Sequence, residues 1–264
     1  MVLEKHYNNK IRVIDQIGQG GFGKVYLIRT RSSDEYPDIQ YYAMKVILKS
    51  RIINSEKKII YAKNEMEILA SIDNPFVVKL YYAFHCSEKL YLIMELMTGG
   101  DLRRLMNQKI TLTENETKFY TASITMALEH LHSLKIIYRD LKPENVMFDV
   151  NGCLKLVDLG LCKVVNSVDE KTSTICGTIE YLAPEVVSKK RYDMMVDWWS
   201  LGILTYDMLL GSTPFPSDNR KKLINKIVSE VPNIPKLVSK EATSFMKQLL
   251  FKNPKKRLGV NSNY

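Results

Sequence analysis

Tyr138-Arg139-Asp140-Leu141-Lys142-Pro143-Glu144-Asn145, read with Asp158-Leu159-Gly160 eighteen positions after Asp140, decides how the rest of the chain is read. Two aspartates, an asparagine and a lysine stand in this short stretch. Asp and Asn oxygens are the hard donors that Mg²⁺ prefers. A carboxylate beside them suits the proton of a reacting hydroxyl, and a lysine suits oxygens that gather charge in a transition state. Taken singly, each is more often a turn former, because Asp and Asn bond to their own backbone in loops. Their order, and what lies upstream, argue against coincidence.

Upstream, Ile11 to Ile17 alternates loosely and predicts a strand, followed by Gly18-Gln19-Gly20-Gly21-Phe22-Gly23-Lys24-Val25. Glycines let backbone approach phosphates closely. A lone G-x-G-x-x-G is weak, because dinucleotide-binding folds share it. In those folds the last glycine opens a helix, whereas Lys24-Val25-Tyr26-Leu27-Ile28 is β-branched and aromatic and predicts a second strand. A P-loop is excluded as well, since Gly23-Lys24 is followed by Val25 and not by Ser or Thr. A glycine hairpin over phosphates is the reading that fits. Arg31 to Gln40 is polar, contains Pro37 and predicts a loop. Tyr41-Tyr42-Ala43-Met44-Lys45-Val46-Ile47 predicts a strand with one lysine among apolar neighbours, which alone can be an edge-strand charge. Ile59 to Ile72 predicts a helix offering two carboxylates, Glu65 and Glu67, to that lysine. Leu90 to Met94 predicts a buried strand. Composition then turns from strand-rich to helix-rich, and we set a domain boundary there, dividing residues 1–95 from 96–264.

Downstream, Thr113 to His132 predicts an amphipathic helix opened by the capping box Thr113-Glu114-Asn115-Glu116. Asp197-Trp198-Trp199-Ser200-Leu201-Gly202 opens a strongly apolar helix, Val196 to Leu210.

Together these runs resemble a eukaryotic protein kinase catalytic domain, over about residues 10 to 259. The signature set is well known. The resemblance implies an α+β, bilobal protein-kinase fold, with a small β-rich N-lobe carrying one main helix and a larger, mostly helical C-lobe. It implies ATP and Mg²⁺ as cofactors, Asp140 as catalytic base or hydroxyl orienter, and Asn145 and Asp158 as metal ligands. Lys142 would neutralise the transferring phosphoryl group. Lys45 would hold the α- and β-phosphates, and the N-E-x-x-I-L pattern selects Glu65 as its partner, with Glu67 solvated. Gly18, Gly20, Gly21, Phe22, Gly23, Val25, Ala43, Met94, Glu95, Met97, Asp101, Glu144 and Met147 join the nucleotide site. Met94 would sit beside the adenine, and the backbone of Glu95 to Met97 would bond its edge. Asp197 would bond loop backbone and Arg257 would pair with Glu185, both structural.

The D-L-K-P-E-N form is similar to kinases acting on serine and threonine. Tyr138 in place of His, the run Gly177 to Glu185, and Asn253 to Gly259 resemble the AGC group. Within it, Gly160-Leu161-Cys162-Lys163 and Asp218-Asn219-Arg220-Lys221-Lys222 resemble the ribosomal-protein S6 kinases first and the protein-kinase-B branch second. Leu159 replaces the commoner phenylalanine and fills the same apolar role. The resemblance marks Thr174 as a phosphorylation site, with Arg139 and Lys163 to receive the phosphate and an upstream activating kinase of the phosphoinositide-dependent type. A third basic contact used by some relatives falls near Tyr61. Glu144 and Asp101 match positions that bind substrate arginines, and Asp207 stands where a cyclic-AMP-dependent relative has a glutamate for the arginine two residues upstream. An R-x-R-x-x-S/T preference follows. The group's tail after Arg257-Leu258-Gly259 is not matched before Tyr264, and we expect this to bear on activity.

The bulk numbers agree with that reading. The 264 residues, 45% hydrophobic and 25% charged, suit a soluble globular chain with a sizeable core. No segment approaches the ~18 apolar residues of a membrane span. No signal core opens the chain, and Val2 stands where myristoylation needs glycine. We expect a cytoplasmic protein with nuclear shuttling, acting as a monomer on protein substrates. The four cysteines (Cys86, Cys153, Cys162, Cys176) form no C-x-x-C pair, and His130 and His132 lie two apart on a helix, so neither disulfides nor zinc are expected. The net charge of +9 raises the question of nucleic acid. Its clusters are scattered and lack interleaved aromatics, so a solvated basic face is the reading preferred. A nucleotide-binding pseudokinase or scaffold stands as the alternative function, although Lys45, Asp140 and Asp158 are all present.

Overall fold

The structure, a computed structural model, describes residues 11–20, 23–31, 39–167 and 170–259. Gly21 and Phe22 lie outside the described residues, as do 32–38 of the expected loop. The chain divides into two compact units, Met1–Thr98 and Gly99–Tyr264. The division falls after 98, although the composition changes at 95, because backbone bonds tie each side to its own unit. The Glu95 N–H donates to Lys79 O at 2.9 Å, and the Gly99 N–H to Phe148 O at 2.9 Å.

The first unit is an antiparallel sheet of β1 (Ile11–Gln19), β2 (Lys24–Arg31), β3 (Ile39–Leu48), β4 (Leu80–His85) and β5 (Lys89–Met94), in the order β1-β2-β3-β5-β4. Ile39 and Gln40, expected in a loop, extend β3 because they pair with Arg31 and Thr30. The two-residue period of a strand assigns β3 two jobs. Tyr42 and Met44 join Ile28 and Ile93 in one apolar cluster. Ile47 packs on the other face with Ile52 of α1 (Lys49–Ile52) and Ala62 of α2 (Glu56–Ser71). Lys45 shares the parity of Ile47 and so points to the side of α2. Along that helix Ala62, Glu65, Ile68, Leu69 and the C-cap Ile72 are buried, a stripe at helical spacing that carries Glu65 inward.

The second unit contains α3 (Leu102–Lys109), α4 (Glu114–Ser133), the short strands β6 (Ile136–Ile137), β7 (Val146–Phe148), β8 (Leu154–Leu156) and β9 (Lys163–Val164), then α5 (Pro184–Val187), α6 (Met195–Leu210), α7 (Arg220–Ser229) and α8 (Lys240–Leu249). The expected capping box on α4 is formed in both directions. Thr113 Oγ1 accepts from the Glu116 N–H at 3.2 Å, and Glu116 Oε2 accepts from the Thr113 N–H at 2.9 Å. Helix α6 is buried from Met195 to Leu209, which explains its lack of a polar face, and it packs against α4 and α8. It is the wall on which the loop at 138–145 is hung. No described helix is long and apolar enough to cross a membrane.

Candidate active site

In the first unit the Lys45–Glu65 pair is formed, with Nζ donating to Oε1 at 2.5 Å. Both residues are buried, Lys45 to 9% and Glu65 to 2% exposure. Glu67 instead stands in solvent and pairs with Lys63 at i,i+4, 3.7 Å away. A step of two positions on one helix therefore separates the two glutamates by role as well as by direction. The glycine turn is closed by the Gly20 N–H bonding Gly23 O at 2.9 Å. A side chain at Gly23 would meet Val46 O at 2.2 Å, so only glycine lets this turn lie against β3. Register places Val25 opposite Lys45 on the adjacent strand and Ala43 opposite Met94. At Glu95 the backbone N–H donates to Lys79 O. Met97 is buried and Met94 partly so.

The second unit assembles Asp140, Lys142, Asn145 and Asp158 from two short segments. Pairing of β7 with β8, Val146 opposite Leu156 and Phe148 opposite Leu154, draws the ends of those segments together. Beyond the pair, the Val157 N–H bonds Asn145 O at 3.0 Å and the Tyr138 hydroxyl donates to Val157 O at 2.6 Å. Burial drives the Tyr138 phenol well above its ordinary pKa, so it stays a donor there. The loop is anchored from below by Asp197 on α6. Its Oδ2 accepts from the Tyr138 N–H at 2.9 Å and lies 2.8 Å from His132 Nε2, while Oδ1 accepts from the Arg139 N–H at 2.8 Å. Arg139 and Asp158 both take positive φ, 71° and 53°, conformations few non-glycine residues adopt and which cluster at functional turns.

Asp140 is the focus of this network. Its Oδ2 accepts from Lys142 Nζ at 2.8 Å and from Asn145 Nδ2 at 2.9 Å. Its Oδ1 is buried and has no partner among the described residues. Burial pushes the Asp140 carboxyl up, against the downward pull of Lys142 and Asn145. Lys142 also reaches Thr178 Oγ1 at 3.2 Å, which ties the loop to the segment that carries Gly177. At Gly177, φ is +94° and a side chain would strike Arg139 O at 2.7 Å, 3.5 Å from Asp140 Oδ1, so glycine keeps that oxygen approachable. Asn145 Nδ2 donates to the backbone carbonyl of Asp140 at 2.8 Å and to its carboxylate at 2.9 Å. Asp158 Oδ1 accepts from the Gly160 N–H at 3.3 Å. Met147 lies on β7 and is bridged to Asp101.

The family model described as Protein kinase domain matches residues 11–263. The chain belongs to the protein kinase domain family. This kinase domain is 42% identical over 259 residues to the human protein named Ribosomal protein S6 kinase alpha-2, covering 98% of this chain and 35% of that protein. It is 44% identical over 250 residues to Ribosomal protein S6 kinase beta of Caenorhabditis elegans, covering 94% of this chain and 45% of that one. Ribosomal protein S6 kinase 2 alpha of Gallus gallus matches at 42% over 257 residues, 97% of the chain and 34% of the relative. The kinase domain thus spans between a third and a half of the length of these curated relatives. They belong to the AGC group and to the branch placed first on sequence.

In the segment between Asp158 and Glu185, which the resemblance marks as the activation segment, Thr174 is half-buried and its carbonyl accepts from the Tyr192 hydroxyl at 2.5 Å. Thr172 and Tyr192 exchange two backbone bonds at 2.8 Å. The Arg139 guanidinium, expected near a phosphate on Thr174, donates to the carbonyls of Leu161 at 2.7 Å and Cys162 at 3.3 Å and to the Tyr192 hydroxyl at 3.4 Å. Tyr192 therefore stands between Arg139 and Thr174, a position that no local signal in the sequence marked. Three more residues went unassigned on sequence. They are Thr178 on Lys142, His132 on Asp197, and Arg103, which reaches Glu144, Tyr181 and Asp207. The first lies in a motif quoted for its family character, where a role could have been sought. Arg103, in Leu102-Arg103-Arg104, carries no such signal.

Proposed function

We propose that this domain is a serine/threonine protein kinase that transfers the γ-phosphate of ATP to hydroxyls in basic peptide sequences. One observation carries the reading. Asp140 is held by Lys142 and Asn145 through one carboxylate oxygen, while the other is buried and without a partner among the described residues. A buried unpartnered acceptor is costly unless a ligand donates to it, and a substrate hydroxyl is the donor that this chemistry requires.

In the proposed mechanism Asp140 Oδ1 orients the serine or threonine hydroxyl and receives its proton as the phosphoryl group leaves ATP. Lys142, close to Asp140, offers its ammonium to the charge on the transferring group. Lys45, fixed by Glu65, holds phosphate oxygens, and the glycine turn ending at Gly23 covers them. The carbonyl oxygen of Asn145 and the carboxylate of Asp158 fit a hard cation, which Mg²⁺ binds through few protein oxygens alongside phosphates and water. When bound, Mg²⁺ would neutralise charge on the β- and γ-phosphate oxygens. Gly18, Gly20, Val25, Ala43, Met94, Glu95 and Met97 form the remainder of the proposed nucleotide site. Glu144 and Asp101 are proposed to receive substrate arginines. Phosphorylation of Thr174 by an upstream kinase is the proposed switch, and the relatives named as S6 kinases support a place in that branch.

The test is transfer from Mg-ATP to an R-x-R-x-x-S peptide, with Asp140→Asn beside the wild type. The expected loss in kcat is about 10²- to 10⁴-fold, the range of a positioned base. Equal activity in the two proteins would overturn the reading. ATP binding without turnover in either protein would favour the pseudokinase alternative.

A further inference from the structure

The Arg103 guanidinium sits within a ring of acceptors contributed by three separate elements. Its Nε donates to Glu144 Oε1 at 3.0 Å, its Nη2 to the Tyr181 hydroxyl at 2.9 Å, and its Nη1 to Asp207 Oδ2 at 3.4 Å. The Tyr181 hydroxyl in turn donates to Asp207 Oδ2 at 2.7 Å. The fold explains the meeting. Asp101 caps α3 by accepting from the Arg104 N–H at 2.7 Å, which sets Arg103 in the first turn, and α3 packs on the turn Pro143–Asn145 that carries Glu144. Tyr181 belongs to the turn Ile179–Tyr181, held on α6 by Ser200 Oγ donating to Tyr181 O at 2.8 Å, and Asp207 lies two turns further along α6.

The burial is uneven. The Asp207 side chain is 4% exposed, Arg103 is 31% exposed and Glu144 46%. A carboxylate so far from water is costly unless a cation and hydrogen bonds compensate it. Tyr181 supplies one bond but no charge, and burial followed by Asp207 itself drives its phenol pKa upward, so it remains a neutral donor. The charge that compensates Asp207 is that of Arg103. A carboxylate pair and a hydroxyl disposed around one planar fork form a guanidinium site, and the chain's own arginine fills it.

Resting on the reading that Glu144 and Asp207 face substrate arginines, we infer that Arg103 occupies the Asp207 subsite in cis and removes it from substrate selection. Glu144 keeps a second carboxylate oxygen and nearly half its surface in solvent, and with Asp101 it stays open to the arginines of R-x-R-x-x-S/T, which stand three and five residues upstream. An arginine two residues upstream adds nothing. This also replaces the sequence expectation that Asp207 sustains a preference for arginine two residues upstream. The residue is present, but its charge is already matched.

The experiment measures kcat/KM for peptides that keep arginine three residues upstream of serine and carry a second arginine at each other upstream position in turn. Wild type is expected to change less than about twofold when the second arginine stands two residues upstream. Arg103→Ala should gain about tenfold at one position, two residues upstream, the size of one charge-assisted contact. Arg103→Gln, which keeps a polar contact to Tyr181 without charge, should gain at that same position and covers the case where the alanine variant folds poorly. Adding Asp207→Asn to either variant should erase the gain, which a merely structural Arg103 would not predict. A wild-type enzyme that already profits from an arginine two residues upstream, or variants that gain nothing there, would overturn the inference. If no peptide is phosphorylated by any of these proteins, the activity reading has failed instead. Fluorescence anisotropy of the same labelled peptides then still decides the subsite, with tighter binding expected only for the Arg103 variants.

Discussion

Two glutamates on α2 illustrate what a single side chain contributes here. Glu65 and Glu67 differ by two positions on one helix, which is enough to put one in the core and the other in water. On sequence both carboxylates stand open and only the N-E-x-x-I-L resemblance selects Glu65; the structure gives the physical reason, because the buried stripe of α2 passes through Glu65. The pair predicts an asymmetric cost. Glu65→Ala removes the carboxylate that Lys45 bonds in the core and should lower stability in urea unfolding more than Glu65→Gln, which keeps an acceptor. Equal effects would mean that the lost charge, common to both variants, sets the cost and that the retained acceptor contributes nothing. Asp140 is equally legible by its place in a motif, but the division of labour between its two oxygens is not. Only the positions of Lys142, Asn145 and Gly177 leave Oδ1 waiting for a donor.

At the scale of elements, local physics carried well where an element is self-sufficient. Helix α4 begins at its capping box because Thr113 and Glu116 satisfy each other's amides within one turn. The activation segment is different, since its bonds go to residues distant in sequence. Thr172 pairs with Tyr192, and the Tyr192 hydroxyl links the Thr174 carbonyl to Arg139. Arg139 is buried and donates to two carbonyls, so a phosphate on Thr174 would have to compete for it or recruit Lys163 from β9. A phosphate brings about −1.5 to −2 charge and ~1–3 charge-assisted bonds, enough to redirect those donors. Phosphorylation of Thr174 should raise kcat at least about tenfold, and Thr174→Ala should hold the enzyme at the unphosphorylated rate. Full activity in the alanine variant after treatment with the activating kinase would remove Thr174 from the mechanism.

Over the whole chain, buried ionic contacts span long sequence distances. Arg257 donates to both Glu185 oxygens, at 2.8 and 3.1 Å, and to Met195 O at 2.7 Å, and lies 5.3 Å from the centre of the Trp199 ring. Arg257→Ala should cost about 3–5 kcal/mol by urea unfolding, and Arg257→Lys should recover only part, because an ammonium cannot reproduce the planar fork. Full recovery by lysine would show that charge alone suffices. The family resemblance implied this pair, whereas strands β1, β2, β3 and β5, the helices α2, α4 and α6 and the motifs were readable because periodicity, capping and motif order are local properties of the chain. Arg103, Tyr181 and Asp207 are otherwise. They lie on three elements that meet only after α6 is buried, and no spacing relates them. The sequence by itself determined which chemistry the domain carries, since a motif brings its reacting groups along in order. Tertiary structure alone decided which of its acids are matched within the chain, because a buried carboxylate takes whatever cation the packing sets beside it.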